Sequence, residues 1–168
     1  ADSFGQAAVD YGFASSTGVA AGTQAIGYYG VAGEDPAYQQ YIAQGAAEAA
    51  MRMSRTSGIT DDAGMRLLQR QVVGVQRSFG VPDSQIKRVE DALTVISKQS
   101  GTTVAETSAA LADIGTLAAQ AGFTLEETGA FLNRIQTTTG GTPQAASGAM
   151  RQVLSKADDP AIQAQLRT

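Results

Sequence analysis

Three pairs of adjacent carboxylates are the residues best suited to chemistry in this 168-residue chain: Asp61-Asp62, Glu126-Glu127 and Asp158-Asp159. Two acids flanking a cleft can divide general-acid and general-base roles, as in glycoside hydrolysis, if their surroundings push their pKa values apart. Each pair here falls at the start of an expected helix. Negative charge is favoured there by the helix dipole and by the unbonded N–H groups of the first turn. Capping therefore accounts for all three pairs, and no Glu stands apart as the acid of a wall-degrading enzyme. The chain has no His and no Cys. That removes Ser-His and Cys-His catalysis, disulfides and the common zinc ligand sets. No catalytic residue, cofactor-binding residue, cofactor or metal ligand is expected.

Phosphate chemistry fares no better. Gly140-Gly141-Thr142 precedes a helix start but lacks the Lys and spacing of a P-loop, so it reads as a turn. Twelve Lys and Arg against sixteen Asp and Glu leave a net charge of −4. The basic residues are scattered, and phosphate-driven binding needs a basic face, so no specific nucleic-acid binding is expected. Arg66, Arg70 and Arg77 fall on one side of one expected helix. A solvated face is the plain reading, and a docking site for an acidic partner the sharper one.

The elements that position these residues are announced by a recurring signal. Gly58-Ile59-Thr60, Gly80-Val81-Pro82, Gly101-Thr102-Thr103, Gly122-Phe123-Thr124 and Gly141-Thr142-Pro143 recur every 19 to 22 residues. Gly ends one helix in the left-handed conformation, and Thr or Pro opens the next. Thr103 is followed three residues on by Glu106, and Thr124 by Glu127, which predicts two capping boxes. Thr142-Pro143 predicts a cap followed by Pro at the first helical position.

Apolar residues between the turns keep helical spacing. Met65, Leu68, Val72, Val75 and Phe79 form one stripe, and Ile86, Val89, Leu93 and Ile96 the next. Val104, Leu111, Ile114 and Leu117 form a third, with Leu125, Thr128, Phe131, Leu132 and Ile135 after it. Ala146, Met150, Val153 and Leu154 form a fifth. No stretch alternates as a half-buried strand does. The expected fold is all-α without a sheet: short antiparallel helices in tandem, as helical hairpins or a short solenoid. A helix is also expected from Pro36 to Arg55, with Tyr38, Tyr41, Ile42, Gly45, Ala49 and Met53 near one face. One more short helix is expected after Asp158-Asp159-Pro160.

The first 35 residues differ, being rich in Gly and Ala and expected to be partly helical. Residues 11–33 carry no charge, and Gly18-Val-Ala-Ala-Gly22 has the spacing that lets membrane helices pack closely. Ser15, Ser16, Thr17, Thr23 and Gln24 oppose insertion. A small-residue helix packed in a soluble bundle is the preferred reading, with membrane contact through 11–33 at most transient. The expected division is 1–35, then a hairpin array over 36–168 with turns near 58, 80, 101, 122 and 141.

Leu, Ile, Val and Phe make up only about a fifth of the chain. Ala-rich helices bury little area each, at about 25 cal/mol per Å², so the core is expected to be thin and a homo-oligomer is expected to supplement it. Ala1 in place of Met suggests a fragment or processed product.

The run Gly101-Thr-Thr-Val-Ala-Glu-Thr, the run Ala118-Ala-Gln-Ala-Gly122-Phe-Thr-Leu-Glu-Glu-Thr-Gly-Ala-Phe-Leu and the run Ala149-Met-Arg-Gln-Val-Leu-Ser-Lys resemble tail tape measure proteins of long-tailed bacteriophages. The resemblance covers about residues 65–166. It implies a long helical protein threaded through the tail tube, setting tail length, acting in tail assembly and leaving ahead of the DNA. It also implies several copies contacting tail tube and tail tip proteins, inside the virion tail and, during assembly, in the host cytoplasm. A helix of 168 residues reaches only about 250 Å at 1.5 Å per residue, so one ordered portion of a longer protein is expected. Two other classes compete with this reading: a non-phage helical adaptor or effector-type binding module, and a Glu-based muralytic enzyme.

Overall fold

The computed structural model describes residues 2–29 and 35–157. These form eight α-helices, one short 3-10 turn and no strand, the all-α class expected. The helices are α1 (Asp2–Asp10), α2 (Ser15–Tyr29), α3 (Pro36–Thr56), α4 (Asp62–Ser78), α5 (Ile86–Ser100), α6 (Val104–Gln120), α7 (Leu125–Thr139) and α8 (Pro143–Ala157), with the 3-10 turn Asp83–Gln85 before α5. Asp158, Asp159 and the helix expected beyond Pro160 lie outside the described residues, as do residues 30–34 of the N-terminal segment.

Local signals explain where the helices stop and start. Gly58, Gly80, Gly101 and Gly122 take φ values of +70°, +62°, +67° and +88°, conformations that a Cβ would strain. After each, the chain's N–H groups return to the last turn: Ile59 to the Ser54 carbonyl at 2.8 Å and Phe123 to that of Ala118 at 2.9 Å. The two Thr-x-x-Glu boxes close in both directions. Glu106 N–H donates to Thr103 Oγ1 at 3.2 Å while Thr103 N–H donates to Glu106 Oε2 at 2.9 Å. Thr124 and Glu127 repeat the arrangement at 3.2 and 2.9 Å. Thr142 accepts from Ala145 N–H at 3.2 Å, with Pro143 as the first residue of α8.

Three turn assignments are corrected. The left-handed glycine after α7 is Gly140, at φ +65°, not Gly141. The helix ends one residue sooner, because Gly140 N–H already bonds the Gln136 carbonyl at 2.8 Å. The cap of α4 is Asp61, accepting from Gly64 N–H at 2.8 Å, not Thr60. The carboxylate next to the helix is the stronger cap of the two. Pro82 offers no side-chain cap, and the chain enters α5 through the 3-10 turn. Gly12, at φ +81°, closes α1 in the same way and belongs with the series.

Packing joins each helix to the one two places along. α3 packs on α5, α5 on α7, α4 on α6 and α6 on α8, and α7 and α8 pack on each other. The result is two parallel rows of helices with one apolar core between them, running from Phe4 to Leu154. Helix spacing of the apolar residues builds this core. Met65, Leu68, Val72, Val75, Ile86, Val89, Leu93, Ile96, Leu111, Ile114 and Leu132 are buried, and Phe79, Leu117 and Ile135 are half-buried. Phe131 and Val153 depart from the expected stripes, at 38% and 54% exposed. In α3 the buried face is Ile42, Ala46, Ala49 and Met53, while Tyr38 and Tyr41 point to solvent. A tyrosine tolerates that position because its hydroxyl is hydrated there.

The small residues permit close approach. A Cβ on Gly22 would overlap the Phe4 ring, one on Gly18 the Phe4 carbonyl, and one on Gly115 would sit 2.7 Å from Ser78 Cβ. The Gly18-to-Gly22 spacing therefore seats α2 against α1 inside the protein. Among the described residues, no helix is long and apolar enough to cross a membrane.

Candidate functional site

The two carboxylate pairs that lie among the described residues do structural work. Asp61 caps α4, and its neighbour Asp62 accepts a hydrogen bond from Thr17 Oγ1 of α2 at 2.7 Å. Glu127 completes the capping box of α7 by accepting from Thr124 N–H, and Glu126 is held by Arg88 of α5, with Arg88 Nε 2.9 Å from Glu126 Oε1. The Arg88 guanidinium holds the Glu126 carboxyl below its usual range. Backbone N–H donation from Thr103 and Thr124 does the same for Glu106 and Glu127. All three acids are thus biased towards the charged form, which a general acid at neutral pH is not. Among the described residues, no three His, Cys, Asp or Glu side chains gather as a metal cluster.

A second arrangement is the stacking seam between successive helices within each row. Arg52 of α3 reaches Glu90 of α5 with two prongs, Nε to Oε1 at 2.7 Å and Nη2 to Oε2 at 2.5 Å. Glu90 is nearly buried, and its charge-assisted bond raises the Arg52 pKa above the ordinary guanidinium value. Arg88 on Glu126 repeats the fork between α5 and α7. In the second row Thr116 of α6 bonds Ser78 of α4, and Arg151 of α8 pairs with Asp113 of α6. All four contacts join residues 38 apart. Parallel neighbours at one constant offset are the mark of a solenoid, in which each unit meets the next in the same way. None of these pairs announces itself in the sequence, since a 38-residue offset has no local signature.

The outer surface of the α3, α5 and α7 row is grooved. One groove of about 360 Å³ runs between α3 and α5, past Tyr41, Gly45, Glu48 and Lys87. A second, of about 500 Å³, runs between α5 and α7, past Lys87, Asp91, Val95, Gln99 and Ala130. Lys87 of α5 stands between the two. Val95 at 52% exposure and Tyr41 at 72% leave apolar surface beside charged side chains, the mixture that protein contacts use. The Arg66, Arg70 and Arg77 side chains are exposed on α4, with Arg77 tied to the Tyr28 carbonyl at 2.8 Å. Such an arrangement can hold another protein.

Comparison with known families decides what kind of protein this is: the model of the phage-related minor tail protein family matches residues 1–166. The chain belongs to that family. No curated protein and no solved structure matches it. A minor tail protein is a structural component of the phage tail, so the stacked helices serve a virion part in association with other tail components. The non-phage adaptor reading is set aside by the same match. The family extends over the first 35 residues as well, beyond the stretch in which the sequence resemblance lay.

Proposed function

We propose that this chain is an ordered, non-enzymatic segment of a tail tape measure protein, acting in tail-length determination, tail assembly and DNA ejection. It would do so by self-association and by docking to tail tube and tip proteins, within the virion tail and in the host cytoplasm during assembly. The observation that carries the reading is the stack itself. In a chain of the minor tail family, four helix pairs keep one 38-residue register. A stack of this kind lengthens or shortens by whole units without disturbing the units that remain. The outward grooves of the α3, α5 and α7 row supply surface for tube or tip proteins.

An in-frame deletion of residues 105–142 in the phage tests this. It removes one helix pair at the natural offset and leaves α5 free to meet α8. If the segment contributes to the ruler as extended helix, tails should shorten by about 60 Å at 1.5 Å per residue, measured by electron microscopy. Infectious virions with tails of unchanged length would defeat the tape measure reading. A minor tail role elsewhere in the organelle would then remain.

A further inference from the structure

We propose that the outer face of α4 docks an acidic helix of another tail protein, with Arg66, Arg70 and Arg77 as its cationic contacts. The proposal deepens the docking half of the reading above and rests on it only for the partner being a tail component. At about 100° per residue, the three arginines fall within an arc of about 40°, opposite the buried Leu68, Val72 and Val75. All three are exposed. α2 packs against one flank of α4 and α6 against the other, so this face lies within its row rather than at an end. Helix pairs stacked beyond either end of the rows would leave it open.

Five arginines are matched inside the fold. Arg52, Arg88 and Arg151 pair with Glu90, Glu126 and Asp113, and Arg55 and Arg77 donate to the Tyr11 and Tyr28 carbonyls. Arg66 and Arg70 have no partner among the described residues. They stand one turn apart on α4, where like charges repel and weaken a helix. Asp62, one turn before Arg66, accepts from Thr17 Oγ1 instead. Folding therefore does not account for the pair, whereas incoming carboxylates remove its repulsion.

Charge and shape select the occupant. α2 carries no charged residue, and α6 has no Lys or Arg. The acids of α6, Glu106 and Asp113, are engaged by Thr103 and Arg151. The basic surface is thus one helix wide, about 10 Å. It lacks the broad cationic face that duplex nucleic acid requires. Guanidinium forks match carboxylates. From Arg66, Arg70 lies about 6 Å and Arg77 about 16 Å along the axis. A second helix meets those steps with carboxylates spaced four and then seven residues apart. On the side towards α6, Leu67 is 52% exposed, and Gly74 and Ala112 are half-buried and small, with a Cβ on Gly74 3.7 Å from Ala112 Cβ. The partner helix can therefore lie close and set an apolar side chain on Leu67.

A fluorescent helical peptide with Glu at those spacings and Leu beside them should bind the chain, more weakly as salt rises. Combining Arg66→Gln with Arg70→Gln should weaken binding roughly tenfold or more, with helicity by circular dichroism unchanged. Arg134→Gln, on α7, should leave binding as it is. No binding, equal binding by the double variant, or a duplex DNA of the same charge binding as tightly as the peptide overturns the proposal. In the phage, Arg66→Glu with Arg70→Glu should block tail assembly, and second-site revertants should carry Asp or Glu changed to Lys or Arg in another tail protein. Normal tails, or revertants lacking such a change, overturn the acidic tail partner. The tail-length measurement decides the tape measure reading separately.

Discussion

Arg52 and Glu90 close a two-pronged ion pair between α3 and α5, and Arg88 and Glu126 repeat it between α5 and α7 at the same 38-residue offset. The two forks share geometry but not surroundings. In the first the Glu side chain is 9% exposed, and in the second 46%. Solvent screens the second from both sides and reaches the first only through the partly exposed Arg52.

That difference sets the cost of breaking each fork. Arg52→Met leaves the Glu90 carboxylate nearly buried without its cation and should cost about 2–4 kcal/mol, somewhat below a fully buried pair because Arg52 itself is partly exposed. Arg88→Met should cost far less, because both side chains of that pair are about half exposed and solvent screens their charges. Urea unfolding of both variants measures the difference. Equal losses would mean that the two seams share one environment, contrary to the burial of Glu90.

The capping boxes make a pH-dependent contribution. Thr103→Ala and Thr124→Ala should each cost about 1 kcal/mol at neutral pH. Glu106 and Glu127 have pKa values lowered in the folded state. Their contribution is therefore complete above the unfolded value of about 4.3 and fades as pH falls through the lower folded one. Thermal melts between neutral and acidic pH should show stability falling below that point, with a shallower fall for Glu106→Gln. An equally steep fall in that variant would place the acid sensitivity elsewhere.

Much of this fold was legible from the chain alone, because the signals that end and begin helices are local. Gly122 with Thr124 and Glu127 states stop, start and box within six residues. The errors lie where two local signals compete. Gly140 and Gly141 are both able to close α7, and only the position of the Gln136 carbonyl chooses. Thr60 and Asp61 are both able to open α4, and the nearer carboxylate prevails. The stacking seam was not legible, since Arg52 and Glu90 are joined by tertiary geometry and no residue between them marks the offset. Phe131 fits helical spacing yet lies at the edge of the core, because spacing fixes the face of a helix but not whether a neighbour covers it.

Close helix contact and open helix surface should respond oppositely to one substitution. Gly129→Ala places a methyl group into Ile96, and Gly115→Ala places one 2.7 Å from Ser78 Cβ. Each should lose about 1–3 kcal/mol to overpacking, outweighing a helix-propensity gain of about 1 kcal/mol. Gly148 lies within α8 with open space where its Cβ would be, so Gly148→Ala should gain about 0.5–1 kcal/mol. Chemical denaturation gives all three values. A gain at Gly129 would mean that α5 and α7 are not in contact through Ile96.

The turn after α7 offers the sharpest discrimination between neighbouring residues. Gly140 has φ +65°, and an L side chain there meets the following carbonyl, at a cost of about 1–2 kcal/mol. Gly141 lies outside the left-handed region, and a Cβ on it would meet Thr139 Oγ1 at 3.1 Å, an atom at the end of a side chain that can rotate away. Gly140→Ala should therefore lower the unfolding midpoint clearly while Gly141→Ala leaves it within a few tenths of a kcal/mol. Because Gly140 N–H also bonds the Gln136 carbonyl, the loss at Gly140 should appear in hydrogen exchange as faster opening of the last turn of α7. The reverse order of effects would shift the helix end by one residue and with it the Thr142 cap of α8.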